Sequence, residues 1–316
     1  MNSADPFAPV DEFVPPARGK GVKTAAIVLL ALAVVAVGGG GIYYFQFYRP
    51  KVYARAVIRL YDAAMTEGRT AGTEGVKNEA DFSGARATVQ KQEALARRVQ
   101  SDLLTLDPPA GLRNSHETYL GFIELNLAAL ADARPKAEFF AAAADFRAEM
   151  QKTARAIQPE PQPPASPGTP VPMPQPPSVS DVQRVWEEAI PRLQRLGGDL
   201  LRVEITSITE PTFAELRTAW SKAEPALPVL LAFIRKLDPR VSLATVQERV
   251  APAELKQAGT AFEDLGKFGN LVEKTLESSN APDLLAFRTF PRQAELSERA
   301  YRLLQTTEDL RRRYGQ

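Results

Sequence analysis

Few residues in this 316-residue chain could carry out chemistry, and they limit what it can do. His116 is the one histidine, and the chain contains no cysteine. One histidine cannot supply the paired Glu-x-x-His motifs of a di-iron bundle, a histidine-rich zinc site or two haem ligands. The lack of cysteine excludes disulfides, thiol catalysis and zinc–cysteine sites. The composition therefore predicts no cofactor of these kinds.

His116 would also have to serve any Ser-His-Asp triad, and the chain has no G-x-S-x-G nucleophile elbow. It shares an apolar helix face with Leu112 and Tyr119, because the three recur at helical spacing. On such a face a hydrogen-bonded structural histidine is favoured over a catalytic one. We therefore predict a structural role for His116.

The acidic pairs give no better candidate for catalysis. Each pair is adjacent in sequence, Glu187 with Glu188 and Glu263 with Asp264, so on a helix its two side chains point in different directions. We therefore expect these residues to lie on solvent-exposed helix faces. Three glycines at helical spacing either allow close helix packing, the favoured interpretation, or line a ligand cleft: Gly259, Gly266 and Gly269. We predict no catalytic, cofactor-binding or metal-binding residue and no enzymatic activity.

The longest apolar stretch, residues 24–48, has no charged residue between Lys23 and Arg49. At about 1.5 Å per residue, a helix of this length exceeds a hydrocarbon core of roughly 30 Å. A buried core helix would be shorter or would carry a polar stripe. A cleaved signal peptide remains an alternative, although its best small-residue site, residues 31–33, lies in mid-stretch. The pattern predicts one transmembrane helix over residues 24–48.

This helix sets the expected partners and orientation. Its last residues, 43–48, include five aromatic rings, which are typical of a membrane interface. Ala36 and Gly40 form a small-xxx-small pair that would allow self-association, although glycine is common in membrane helices anyway. Basic residues flank both ends, so the orientation follows from the short amino-terminal tail: tail in the cytoplasm, carboxy-terminal domains outside it.

The remainder divides by composition into a tail, two helical regions and a linker. Residues 1–23 are rich in Pro and Ala without helical periodicity, which predicts disorder. This segment is either a tail without a binding function or a docking peptide that displays Phe7 and Phe13. Residues 49–157 and 179–316 show apolar spacings of three and four with short connections, typical of antiparallel helical bundles. Residues 158–178 carry ten prolines and predict a semi-rigid spacer.

Prolines and caps predict the helix boundaries within these regions. Asp81 should cap one helix, and apolar faces at residues 112–130 and 139–157 predict two further antiparallel helices. Ser180 with Gln183 has the pattern of a capping box. Pro225 and Pro228 should kink or break the helix that contains them.

The two bundles resemble each other over a short match. Residues 109–113 with Tyr119 align with residues 252–256 and Phe262 at one constant offset. The match indicates either a duplicated bundle or a coincidence between two helices that begin at proline.

The chain as a whole is all-α and close to neutral, with 39 basic and 38 acidic residues. It therefore has no global field to attract nucleic acid. Together these features predict a single-pass membrane protein of the cell envelope that acts by protein interaction or ligand binding, without catalysis. The alternatives are a small-molecule sensor that signals through a partner and, third, a membrane-tethered enzyme.

Overall fold

The structure, a computed structural model, describes residues 41, 43–78, 80–157, 178–203, 210–240, 249–288 and 290–315. In these ranges the chain forms eight α-helices and no β-strand, which confirms the all-α prediction. A π-helical turn at Tyr44–Tyr48 and a 3₁₀ turn at Ala110–Leu112 accompany them. The helices are α1 (Arg49–Gly75), α2 (Phe82–Leu104), α3 (Arg113–Ala156), α4 (Val179–Arg202), α5 (Glu210–Lys236), α6 (Pro252–Glu277), α7 (Ala281–Leu285) and α8 (Gln293–Tyr314).

The start of α2 follows the expected capping chemistry. The Asp81 carboxylate accepts hydrogen bonds from the backbone N–H groups of Gly84, at 2.9 Å, and Lys77, at 3.0 Å. The bond from Gly84 satisfies a donor that the first turn of a helix leaves unpaired, and both bonds hold the pKa of Asp81 below its usual range. The predicted N-cap of α2 is therefore confirmed.

α3 is one continuous helix of 44 residues, about 66 Å long, where the sequence predicted two antiparallel helices. Pro135 lies inside it and removes one backbone hydrogen bond. Ala133, Ala137 and Phe139 are buried on both sides of this proline, so the apolar face continues across it. Burial of that face against several helices outweighs the single lost bond, and the predicted break is wrong.

α5 contains Pro225 and Pro228 and runs as one helix from Glu210 to Lys236, so of the predicted kink or break, the break is wrong. The predicted capping box of α4 is also wrong. Ser178, not Ser180, is the N-cap, and its Oγ accepts from the backbone N–H of Asp181 at 3.2 Å. Gln183 instead donates to the carbonyl oxygens of Ile234 and Leu237, at 2.9 and 2.8 Å, and so pairs the carboxyl end of α5.

The largest core is shared by helices from both sides of residues 158–177. α3 packs against α2 on one side and against α4 and α6 on the other, and α5 packs on α4 and α6. Large buried side chains in this core come from five helices: Phe82, Phe139, Phe146, Leu193, Leu227 and Phe268. Helices of the two predicted bundles therefore share this core. Residues 158–177, most of the predicted linker, lie outside the described residues.

A second core joins α8 to α1 and to the amino-terminal half of α3. Leu303 and Leu310 of α8 are buried there with Tyr53 and Val57 of α1. Arg311 of α8 also forms an ion pair with Asp62 of α1. α8, expected to belong to the second bundle, therefore completes a four-helix arrangement with α1, α2 and α3.

The two segments suggested as a duplication occupy different surroundings. Tyr119 is buried, with 4% of its surface exposed, whereas its counterpart Phe262 is 39% exposed. Leu112 ends a 3₁₀ turn before α3, whereas Leu255 lies in the first turns of α6. Duplication stays a prediction that the packing does not favour.

The predicted transmembrane helix lies largely outside the described residues, which include only positions 41 and 43–48 of it. None of the helices in the described ranges has both the length and the hydropathy needed to cross a membrane.

Candidate functional site

His116 is held inside the smaller core by Tyr53. The Tyr53 hydroxyl lies 2.8 Å from Nδ1 of His116, and both side chains are buried. Burial raises the pKa of Tyr53, so its hydroxyl stays protonated at physiological pH and shares one hydrogen bond with the His116 ring. The prediction of a buried, hydrogen-bonded histidine is confirmed.

The acidic pairs lie on solvated faces, as predicted. Glu187 forms an ion pair with Arg235 of α5 at 2.8 Å, and Glu263 pairs with Lys267 one turn along α6 at 2.7 Å. These side chains are exposed, so such pairs contribute little to stability. In the described part of the chain, no group of three or more acidic or histidine side chains converges as a metal site would require.

The three glycines of α6 make no close contact with another helix among the described residues. A β-carbon built at Gly259 or Gly266 would meet no atom within 4 Å, and one at Gly269 would lie 3.9 Å from Cε of Met150. The favoured interpretation of tight packing is therefore wrong for these positions. None of the three lines the cavity described next.

The strongest candidate site is an apolar cavity of about 720 Å³ between α1, α2, α3 and α8. Its walls are mainly aliphatic and aromatic, and α7 with the residues after it closes one side. Small-molecule pockets in proteins typically measure roughly 300–1,000 Å³ and are lined in this way. Its main apolar lining residues are Leu60, Ala64, Leu95, Val99, Phe122 and Phe287.

Several polar groups also line the cavity: Tyr61, Arg69, Gln92, Tyr119 and Asn126. Tyr119 is fixed by Thr307 of α8, whose Oγ1 lies 2.6 Å from the tyrosine hydroxyl. Because Thr307 donates its own hydrogen to the carbonyl of Leu303, Tyr119 must be the donor. Burial raises the pKa of Tyr119 to about 12, so the hydroxyl is neutral at physiological pH.

The closing side of the cavity includes a strained residue. Phe287 has φ of 51°, and no other non-glycine residue of the described ranges has a positive φ. Left-handed backbone costs an ordinary L-residue about 1–2 kcal/mol. Such strain concentrates at ligand clamps and switch regions, where the surrounding structure holds it in place. Here the strained residue lines the cavity.

The cavity opens to solvent beside α1 and α8. Met65, Tyr301 and Leu304 line it and are 48%, 62% and 41% exposed. Large apolar side chains exposed together at the edge of a concave surface are typical of binding sites. A ligand could therefore enter without unfolding the helices.

The cavity was not predicted from the sequence. Some of its residues, such as Val99, Leu103 and Tyr119, lie on apolar helix faces that the sequence assigns to a core. One available signal was residues 300–304 of α8, where four of five positions are apolar in an otherwise charged helix. Tyr301 and Leu304 are spaced for a second apolar stripe, which a helix with one buried face does not need.

The remaining predicted interaction residues lie outside the described residues: Phe7, Phe13, Ala36 and Gly40. Comparison with protein-family models, with curated proteins and with solved structures finds no match for this chain.

Proposed function

We propose that this chain is a non-enzymatic, membrane-anchored binding protein of the cell envelope whose cavity takes an apolar or amphipathic small molecule. The cavity carries this proposal: about 720 Å³, mainly apolar walls, and an opening edged by exposed Met65, Tyr301 and Leu304. Its few polar groups suit a ligand with one polar end. The anchor over residues 24–48 and its single-pass orientation belong to the same proposal.

Photolabelling tests the binding site. The full chain, reconstituted in lipid nanodiscs, is irradiated with an aliphatic diazirine alcohol, and the labelled peptides are identified by mass spectrometry. We expect label on α1 and α8 around Met65 and Tyr301, as well as on the lipid-embedded segment. The variant Ala64→Trp fills the cavity and should lose the α1 and α8 label, whereas Ala131→Trp, at an exposed position of α3, should keep it.

Two results would contradict the proposed site. One is label confined to the lipid-embedded segment; the other is equal labelling of the two variants. The anchor is tested separately by Val34→Arg, which should cost about 2.5–3.5 kcal/mol of insertion free energy and lower the membrane-bound yield. An unchanged yield would remove the anchor from the proposal.

A sensor that signals through a partner is the second candidate, and one observation favours it. α1 lines the cavity and is continuous, through the π turn at Tyr44–Tyr48, with the end of the apolar segment. A ligand that favours one position of α1 would therefore act on the membrane end of the chain. The protein-interaction function also remains a proposal, with a partner of unknown identity.

A further inference from the structure

We infer that the end of the molecule where α1 begins is a docking surface for anionic phospholipid headgroups. This inference rests on the membrane anchor proposed above, and not on the cavity. It assigns a lipid partner to the folded helices themselves, in addition to the apolar segment.

The first observation is a cluster of exposed rings ahead of the folded core. Five aromatic side chains at the π turn are 48–64% exposed, although Pro50, two residues later, is buried: Tyr43, Tyr44, Phe45, Phe47 and Tyr48. Rings with an apolar body and a polar edge concentrate at the level of lipid headgroups. The membrane surface is therefore placed at the start of α1.

The second observation is the charge of α1 directly above those rings. Arg49, Lys51, Arg55 and Arg59 are basic, and residues 43–61 include no acidic residue. At about 1.5 Å per residue, the first three lie within roughly 10 Å of Tyr48 along the helix. This distance is comparable to the Debye length of about 8 Å at physiological ionic strength, so anionic headgroups would feel these charges.

The third observation is that α8 brings more positive charge to the same end. Arg55, Arg59 and Arg311 line one open concavity of about 570 Å³, with Gly315 at the end of α8 beside them. Arg312 and Arg313 follow on the exposed surface of α8. Guanidinium groups on two helices can therefore surround one phosphate, to which arginine donates two parallel hydrogen bonds.

Three acidic groups near this surface form ion pairs with its arginines. Arg311 pairs with Asp62, Arg49 with Asp107, and Arg312 lies 3.8 Å from Glu308. These pairs are solvent-exposed and therefore weak, so a headgroup phosphate can compete with the carboxylates. Among the described residues, no carboxylate forms an ion pair with Arg59 or Arg313.

A spin-label measurement tests this docking. Because the chain has no cysteine, Ala110→Cys puts one label at this end of the bundle, and Ala154→Cys puts one at the far end of α3. Each full-length chain is reconstituted in nanodiscs of phosphatidylcholine, with or without phosphatidylglycerol, that carry a nickel-chelating lipid. Relaxation by the nickel reports how close the label lies to the headgroups.

We expect faster relaxation at position 110 in the anionic discs than in the neutral discs, and no difference at position 154. The triple variant R59E/R312E/R313E should lose this excess relaxation. The matched variant K152E/R155E/R195E reverses three exposed charges elsewhere and should keep it. Equal relaxation in both lipids, or excess relaxation that survives the first triple variant, would overturn the docking surface.

Failure of the anchor gives a different result, because the chain would then elute apart from the nanodiscs. In that case the same variants are mixed with anionic vesicles and sedimented. Binding that is lost only in R59E/R312E/R313E supports the docking surface without the anchor, and no binding overturns it. Binding to a soluble polyanion with no preference for anionic vesicles would assign the surface to nucleic acid or acidic protein, and would also overturn it.

Discussion

Gly197 of α4 lies directly against the indole ring of Trp220 in α5. A β-carbon built at Gly197 would lie 2.1 Å from Cη2 of Trp220, far inside van der Waals contact. Trp220 is itself buried and tilted against Phe268 of α6, with ring centroids 4.8 Å apart. The ring therefore has little room to move away, and glycine allows α4 to approach it.

Gly197→Ala should destabilise the protein by roughly 1–3 kcal/mol, because overpacking forces side chains and backbone to shift. Gly198→Ala is the matched control, since a β-carbon there would meet no atom within 4 Å. That change should stabilise α4 by about 0.5–1 kcal/mol, the usual advantage of Ala over Gly inside a helix. Chemical denaturation of both variants measures the two effects, and similar values for both would contradict the packing described at Gly197.

Phe146→Ala tests whether the two halves of the chain share one core. Phe146 of α3 is fully buried, and its ring lies perpendicular to Phe268 and Trp220, at 5.0 and 6.2 Å between centroids. The substitution should cost about 3–5 kcal/mol. Because both tryptophans follow residue 178, their fluorescence reports the second half, and its unfolding midpoint should fall together with the helical signal. An unchanged tryptophan transition would show that the halves are independent.

Tyr119→Phe should change how stability responds to alkaline pH. The raised pKa of about 12 means that the folded state favours neutral tyrosine, so this stabilisation is present below about pH 10 and is lost as pH rises towards 12. Near pH 11 the loss is on the order of 1 kcal/mol. Tyr119→Phe lacks this group, so its free energy of unfolding should approach that of the wild type between pH 8 and pH 11. A constant difference would contradict the shift.

Two substitutions at Phe287 separate backbone strain from packing. Phe287→Ala and Phe287→Gly remove the same ring from the cavity wall, but only glycine adopts a φ of 51° without steric cost. The glycine variant should therefore be more stable than the alanine variant by about 1 kcal/mol. Thermal unfolding of both compares them directly, and a more stable alanine variant would show that position 287 is not strained.

The sequence predicted those features that depend on neighbouring residues. The Asp81 cap, the buried His116 and the solvated acidic pairs are present as expected, because each depends on neighbours within a helical turn or on the polarity of one helix face. The predicted division of α3 into two helices was wrong, because the continuity of a helix also depends on distant contacts. The cost of Pro135 is local, but the burial that offsets it involves helices far away in the sequence.

The pairing of α8 with α1 and the cavity beneath it could not be predicted from the sequence. Apolar spacing in α8 shows which residues are buried, but it does not identify the helix that covers them. Whether the space between apolar faces is filled or leaves a cavity depends on the side-chain volumes of four helices at once. Tyr301 and Leu304 are the only indication in the sequence of α8, because they are apolar residues outside its one buried face.

The contact between Arg311 and Asp62 joins residues 249 positions apart, so it also constrains the order of folding. During synthesis, α1, α2 and the first half of α3 leave the ribosome long before Leu303 and Leu310 exist to cover them. Domains usually begin to fold from the amino-terminal side as they emerge. In this chain the core nearest residue 49 is completed last, and its apolar surface stays uncovered until α8 has been translated.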